Sequence, residues 1–388
     1  MIREPLRSVA LVGVAAVVGL VGWSGNPVLL PVAMLFPALW AMAPTRIGAA
    51  LVSTGYFLAA SRGLPQGVAN FYGSGFGAGI ALWLAAASGF VLVHAAFWTA
   101  RPGQGRTLRY CIAAVMMSVP LFGIVGWAHP ITAAGIVFPG WGWFGLAAAA
   151  IGLAVMTTRA WPIATLVLGG LCLWSAAWWT PSDMPQGWVG VDTEFRGESG
   201  QYADYAQQLA TIELVKTAAG NGARVIVLPE SAAGIWTATV EHLWRRSLAG
   251  LDVTVNLGAI VVDEAGYDNV MVEIAGGTAR IVYRERMPVP VSMWQPWRGW
   301  FGDPAGARAH FFANPIVGSG GLRIAPLICY EQLIIWPFLQ SALHAPDAIV
   351  ATGNGWWTEN TSIVAIQKAS AIAWAWLFDI PIVVAFNI

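Results

Sequence analysis

Leu322-Arg323-Ile324-Ala325-Pro326-Leu327-Ile328-Cys329-Tyr330-Glu331 is the stretch on which the reading of this chain turns. Apolar residues dominate up to Cys329, and Tyr330 and Glu331 follow at once. The pattern predicts a short buried strand with a cysteine at its C-terminal end, where open α/β sheets place their chemistry. Cys329 is the only cysteine after Cys172, so this part of the chain offers it no disulfide partner. A buried cysteine that only fills space would give the same string. A second string tips the balance: Arg224-Val225-Ile226-Val227-Leu228-Pro229-Glu230-Ser231 delivers a carboxylate from another strand end. A thiol and a carboxylate brought together this way form a candidate nucleophile and base.

The composition around these strings is abnormal for a soluble protein. Of 388 residues, 57% are hydrophobic and 10% charged, and 22 are Trp. Zero net charge hides a split: residues 1–180 carry eight Arg, no Lys and one acid, Glu4, while the remainder carries 12 Lys and Arg against 19 Asp and Glu. A nearly uncharged, apolar front half points to a membrane. No basic patch suits nucleic acid, so no nucleic-acid partner is expected. Cys111 and Cys172 lie inside apolar runs, and His94, His129, His242, His310 and His344 show no metal-ligand spacing. No metal or other cofactor is expected.

Apolar runs predict about seven membrane spans, at 8–23, 27–44, 46–61, 76–98, 108–128, 141–158 and 161–179, with lengths set by a hydrocarbon core of about 30 Å. The first is expected to be an uncleaved span. With the N-terminus in the cytoplasm, seven Arg fall inside and only Arg62 outside, the bias that orients inner-membrane proteins. Everything after Trp179 is then expected in the periplasm. Gly73-Ser74-Gly75-Phe76-Gly77-Ala78-Gly79 looks like a phosphate loop but follows no strand, so Gly75 and Gly79 read as a small-residue packing step.

The polar stretch Thr180–Gly187 marks the boundary between a helical membrane domain, 1–180, and an α/β domain, 181–388. In the second domain, strands are expected at 188–195, 224–228, 253–263, 269–274, 279–284, 321–329, 348–352 and 382–386. Helices are expected at 201–219, 236–248, 333–343 and 362–378. Met287–Arg308 reads as a long loop rich in Trp, Pro and Gly.

The two opening strings together resemble the nitrilase (carbon–nitrogen hydrolase) superfamily, in which a Glu in an "LPE" context and a Cys in an "ICYE" context face each other across one site. The "CYE" form behind an apolar front half is most similar to the membrane branch, the apolipoprotein N-acyltransferases and their plasmid-borne conjugal-transfer relatives. The resemblance implies a four-layer αββα sandwich and acyl transfer through a Cys thioester. Cys329 would be the nucleophile and Glu230 the general base and acid. Glu331 would either orient groups at the site or be a solvated or ion-paired carboxylate, and Tyr330 would form a pocket wall. A phospholipid acyl donor and a lipoprotein acceptor would be the partners, or a protein of the conjugation apparatus if the site has lost its chemistry.

The third family residue is a lysine in a Tyr-x-Lys-x-x-Leu-Val-Pro string. Here Tyr283-Arg284-Glu285-Arg286-Met287-Pro288-Val289-Pro290 matches it, and Glu285 stands at the Lys position. Arg284 or Arg286 is the candidate substitute for the missing charge, although a guanidinium is no direct replacement for an ammonium. An inward Glu285 would instead add a third carboxylate and disfavour a thiolate. Strand alternation makes inward Glu285 and inward Arg286 exclusive expectations. Met293 replaces a further family acid. Gly353-Asn354-Gly355-Trp356-Trp357 resembles the family's turn beside the nucleophile, and Asn387 its terminal Asn. Trp236, Asn354 and Trp356 join Tyr330 as expected substrate-facing residues, while Trp236, Trp294, Trp297, Trp300, Trp356 and Trp357 suit either a lipid edge or core packing.

Overall fold

The computed structural model describes residues 3–73, 75–195, 203–302 and 306–388. Ser74 and the expected helix start at 201–202 lie outside the described residues. In chain order the helices are α1 Arg3–Gly22, α2 Phe36–Met42, α3 Arg46–Ala60, α4 Leu64–Tyr72, α5 Phe76–Phe97, α6 Gln104–Met116, α7 Ala134–Val137, α8 Gly142–Met156, α9 Trp161–Trp178, α10 Ala203–Gly220, α11 Ala238–Ser247, α12 Ile335–Ala342 and α13 Ile363–Phe378. The strands are β1 Trp188–Gly190, β2 Val225–Val227, β3 Thr254–Asp263, β4 Gly266–Ala275, β5 Thr278–Arg284, β6 Val317–Ser319, β7 Leu322–Ile328, β8 Ala348–Asn354 and β9 Ile382–Asn387. The chain divides into two compact units. One is Met1–Ser182 with Leu333–Trp336 and Asn360–Asp379; the other is Asp183–Gln332 with Pro337–Glu359 and Ile380–Ile388.

Within the helical unit, proline decides where apolar runs stop being helices. The expected span at 27–44 is a 3-10 helix, Pro27–Leu35, with Pro31 inside it, followed by the short α2. Proline removes an amide donor and cannot continue an α-helix smoothly. Asn26 opens this segment by accepting from the Val28 amide at 3.0 Å. Phe36 to Ala41 are buried, so α2 is a core element of its unit. The expected span at 108–128 also breaks: α6 ends at Met116, and a short 3-10 helix follows at Phe122–Val125. Helix α4 occupies a stretch expected to be loop. Gly79 allows a close approach, because a Cβ there would stand 2.5 Å from the Pro65 carbonyl oxygen; Gly75 meets nothing and serves as the N-cap of α5.

An aromatic cluster closes the centre of this unit. The Phe36 and Tyr56 rings stack at 4.5 Å, and Phe90 and His94 at 4.1 Å. The buried Trp23 indole donates to the Tyr56 hydroxyl at 2.8 Å, which donates to the Ala128 carbonyl at 2.7 Å. Among the described residues two helices, α5 and α9, suffice by length and composition to cross a membrane; Leu6–Gly22, Pro27–Met42, Arg46–Ala60, Gly142–Met156 and Ile363–Phe378 are shorter apolar segments. Helix α13 lies between β8 and β9 in the chain yet belongs to this unit. Its Trp376 carbonyl accepts from the Gly140 amide at 2.8 Å. A Cβ at Gly135 would stand 1.7 Å from the Ala373 carbonyl oxygen, so the bare Gly135 lets α7 lie against α13.

The second unit is built on two sheets. One has the order β1-β2-β3-β4-β5 and the other β6-β7-β8-β9. In the first, β1, β2 and β3 run parallel, and β4 and β5 are added antiparallel; in the second, β7, β8 and β9 run parallel, with β6 antiparallel at the edge. Alternation sorts the first sheet into two faces. Ile226, Leu228, Val255, Leu257, Val270 and Val272 form one core with Ile212 and Val215 of α10 and Trp244 of α11. Val225, Val227, Met271 and Tyr283 form another with Ile324, Ile328, Val350 and Val383 of the second sheet. The sheets therefore face each other across an apolar layer, as in an α/β sandwich. They meet closely at Gly190, where a Cβ would stand 1.9 Å from the Val384 carbonyl oxygen. The expected strand at 188–195 stops at Gly190, and Thr193 continues it only as a bridge to Asn387.

Candidate active site

Two strand ends of the second unit carry the candidate reactive groups. Strand β2 stops at Val227, and Leu228-Pro229 lead into Glu230; β7 stops at Ile328 and Cys329 begins a 3-10 turn. Each strand end turns through a left-handed non-glycine residue, Ser231 at φ 60° and Cys329 at φ 47°. Side chains other than glycine adopt that region at a cost, and it recurs where a reactive group must be presented sharply. Gly258 on β3 makes room for the Glu230 turn: a Cβ there would stand 2.5 Å from the Pro229 carbonyl oxygen and from the Glu230 Cα.

The Cys329 thiol donates a hydrogen bond to the Glu230 carboxylate. Both residues are buried, Glu230 at 7% exposure and Cys329 at 6%. Glu230 also accepts from the Asn269 amide at 3.0 Å on Oε1 and from the Asn354 backbone N–H at 3.0 Å on Oε2. Burial pushes Glu230 up to about 7, with Glu331 adding to the rise, against the lowering effect of the Cys329 and Asn354 hydrogen bonds. A carboxyl poised there is suited to taking and returning a proton near neutral pH.

Asn354 is fixed in turn by Asn387. Asn387 donates to the Asn354 Oδ1 at 2.9 Å, accepts from the Thr193 hydroxyl at 2.9 Å and from the Phe195 amide at 2.7 Å, and donates to the Phe195 carbonyl at 2.8 Å. The terminal strand thereby sets the amide that holds Glu230. Trp357 donates its indole N–H to the Asn354 carbonyl at 2.9 Å. Trp356 is half-buried in the same turn.

Glu331 is not a solvated carboxylate. It is fully buried and accepts from the Ile328 amide at 2.8 Å, from the Arg286 amide at 2.8 Å and from the Tyr283 hydroxyl at 2.8 Å. The Arg286 guanidinium, also fully buried, lies with Nε 3.6 Å from Glu331 Oε1. Burial raises the Glu331 carboxyl, and the Arg286 charge and these donors oppose the rise. The Arg286 side chain further donates to the Tyr283 hydroxyl at 2.8 Å, to Gln340 at 3.1 Å, to Ser341 at 3.1 Å and to the Pro326 carbonyl at 3.4 Å. Arg286 thus clamps the end of β7 through Glu331.

Glu285 is held beside Glu230. Asn269 donates from the same amide nitrogen to Glu230 and, at 2.9 Å, to Glu285 Oε2. Burial, then the charges of Glu230 and Glu331, push Glu285 well above the usual carboxylate range, against the Asn269 hydrogen bond. Glu285 and Arg286 are both buried. Their expected exclusivity rests on a continuing strand, but β5 ends at Arg284 and alternation lapses beyond it. Arg284 points to Asp268, which also receives Arg308 and His310.

Tyr330 is half-buried beside Cys329 in sequence. Trp236 is half-buried and packs against the core on the α10–α11 side of the first sheet. The sequence reading did not single out Asn269, which links the two carboxyls, or the Tyr283 hydroxyl under Glu331. Among the described residues, no group of three or more His, Cys, Asp or Glu could hold a metal ion.

Comparison with known proteins places this chain in a family. The chain is 60% identical to the conjugal transfer protein TraB of Agrobacterium fabrum over 99% of its own length and 94% of that protein. It belongs to the TraB family of conjugal transfer proteins. A probable TraB of Sinorhizobium fredii is 56% identical over the full length of both chains. The carbon-nitrogen hydrolase family model matches residues 237–375, so this TraB-family chain carries a carbon-nitrogen hydrolase domain in its C-terminal half. That match begins after Glu230 and includes Glu285 and Cys329. Among solved structures, a carbon-nitrogen hydrolase from Helicobacter pylori is similar at TM-score 0.38 and 12% identity, covering 51% of this chain and 72% of that one. A mutant amidase from Nesterenkonia is similar at TM-score 0.37 and 13% identity, covering 51% and 76%.

Proposed function

We propose that this TraB-family chain is a multi-pass inner-membrane protein whose Cys329–Glu230 pair runs acyl transfer through a cysteine thioester on the periplasmic side. The observation that carries the chemistry is the thiol of Cys329 hydrogen-bonded to a buried carboxyl poised near neutrality. Cys329 attacks a carbonyl while its proton passes to Glu230. The same proton then serves the leaving group, as general acid–base catalysis requires. The Asn354 amide and Asn269 keep the carboxyl aimed, and Arg286 with Glu331 keeps the turn that carries Cys329 in place.

Exposed apolar side chains in the helical unit support a membrane setting. Helix α9 exposes Ile163, Leu166, Val167, Leu173, Trp174 and Trp178, and α5 exposes Phe76, Ile80, Leu84 and Leu92. Water would not tolerate so continuous an apolar surface. The Arg asymmetry supports an inside N-terminus and a periplasmic second unit. A phospholipid acyl donor suits that location, with an amine of a lipoprotein or of a conjugation-apparatus protein as acceptor.

One observation favours a second reading, a non-catalytic membrane component of the transfer apparatus: among the described residues neither Glu230 nor Glu285 has a Lys or Arg partner. Plasmid transfer in a strain carrying Cys329→Ala separates the two. The catalytic reading expects transfer to collapse while the variant accumulates normally in membranes. Normal transfer by a normally accumulating Cys329→Ala protein contradicts it.

A further inference from the structure

The hydrogen bonds around Glu285 leave one atom without a partner. Glu285 is 1% exposed, and its Oε1 is a buried oxygen that accepts no hydrogen bond from any of the described residues. Its other oxygen, Oε2, accepts from Asn269, whose same nitrogen also serves Glu230. A buried acceptor left unpaired is costly, and a buried uncompensated charge is far more so. The groups facing Glu285 offer no relief: Glu230 follows β2, Glu331 sits on the turn after β7, and Tyr267 lies on β4 near both Glu230 and Glu285. The two guanidiniums next to it in sequence are committed elsewhere, Arg284 to Asp268 and Arg286 to Glu331, Tyr283, Gln340 and Ser341. A proton on Glu285 removes the charge and turns the orphan oxygen from an acceptor into a donor.

We infer that Glu285 acts as a neutral acid that keeps its proton on Oε1 and donates that O–H to the substrate carbonyl oxygen as negative charge builds there. This rests on the thioester reading of Cys329. Asn269 supports it, since its donation to Oε2 marks Oε2 as the carbonyl oxygen of the acid and leaves Oε1 to bear hydrogen. The upward shift of Glu285 by burial and by Glu230 and Glu331 agrees.

The bonds balance without a further reagent. The Cys329 sulfur forms a bond to the carbonyl carbon of an ester or amide, its proton goes to Glu230, and the carbonyl π pair moves to oxygen. Glu285 shares its O–H with that oxygen and keeps the proton. When the tetrahedral adduct collapses, the bond to the leaving group breaks and Glu230 returns the proton to it. Glu285 is then unchanged beside the thioester. A preorganised donor of this kind, in a site closed to water, is worth about 10²–10³ in rate.

The test compares two reactions of Cys329 in the full-length protein in detergent micelles. Acylation by p-nitrophenyl acetate passes through an oxyanion; alkylation by iodoacetamide does not. Glu285→Gln keeps a neutral donor and should acylate within about tenfold of wild type, whereas Glu285→Leu should acylate about 10²–10³ more slowly. Both should alkylate at the wild-type rate, which also shows that Cys329 is intact and accessible. Acylation by wild type should fall at alkaline pH as Glu285 loses its proton, and Glu285→Gln should abolish that fall. Infrared spectra at neutral pH should contain a protonated-carboxyl band that Glu285→Gln removes. Glu285→Gln as slow as Glu285→Leu, or Glu285→Leu as fast as wild type, overturns the inference while leaving the thioester reading standing. Wild type that alkylates but never acylates overturns both.

Discussion

Arg286 and Glu331 are both fully buried, with the guanidinium Nε 3.6 Å from the Glu331 carboxylate. Forty-five positions apart in sequence, they join the end of β5 to the turn that carries Cys329. The carboxylate accepts from the Arg286 and Ile328 amides, so the pair fixes the backbone on both sides. Removing one partner from a buried pair leaves the other uncompensated, at a cost of about 3–5 kcal/mol. Arg286→Met should therefore destabilise the protein by that amount in thermal or denaturant unfolding. The double variant Arg286→Met with Glu331→Gln should be less destabilised than Arg286→Met alone. A double variant as damaged as the sum of both singles would contradict the pairing.

The elevated carboxyl of Glu230 predicts a pH dependence with a definite sign. Unfolded, it titrates near 4.5; folded, near 7. Between these values the folded state binds more protons, so stability is highest below 4.5 and is lost as pH rises through 7. Glu230→Gln should flatten unfolding stability across that window and stabilise the fold at pH 7 by roughly 2–3 kcal/mol. The same substitution should abolish Cys329 acylation. Unfolding free energy measured against pH in both proteins checks the first claim; a wild-type stability that rises from pH 5 to 7 relative to Glu230→Gln would contradict it.

Gly258 carries the second prediction about geometry. A methyl group there would meet the Pro229 carbonyl oxygen and the Glu230 Cα at 2.5 Å, both backbone atoms that cannot swing aside. Gly258→Ala should displace Glu230 and cost about 1–3 kcal/mol of stability. Gly220→Ala is a control for side-chain size alone, since a Cβ there meets nothing and its backbone lies outside the left-handed region. Acylation of Cys329 should fall far more in Gly258→Ala than in the control.

Topology is tested by reporter fusions. A fusion after Gly187 should be active in the periplasm, and one at Gly103 should behave as cytoplasmic, as the Arg distribution requires. The opposite pattern would contradict the membrane orientation.

The strings around Glu230 and Cys329 made two strand ends legible because each is an apolar run that ends abruptly in polar residues; the two-sheet sandwich came only from the family resemblance, since alternating strands and helices suit other α/β folds equally well. Asn269 escaped because it read only as the first residue of the expected strand at 269–274, where nothing local marks it as a partner of two distant carboxyls. In the fold β4 starts at Gly266. Burial alone would raise Asp268, but Arg308 and His310 hydrogen bonds and the Arg284 charge outweigh it and hold the carboxyl low. Those partners lie 16 to 42 positions away, beyond the reach of a local pattern. Arg286 was likewise weighed as a substitute cation because its true partner, Glu331, is distant in sequence. In the helical unit, hydropathy marked the apolar runs but not their breaks, since Pro31 turns an apolar run into a 3-10 segment without lowering its hydropathy. The place of α13 in that unit had no sequence signal, since an apolar helix between two strands reads as a sheet-covering element.

The most direct measurement is intact and peptide mass spectrometry of the purified full-length protein after incubation with phospholipid vesicles. The account predicts an acyl adduct on Cys329 that hydroxylamine removes, present in wild type and absent in Glu230→Gln. A Cys329 that stays unmodified with every acyl donor offered, while iodoacetamide still reaches it, would contradict the account.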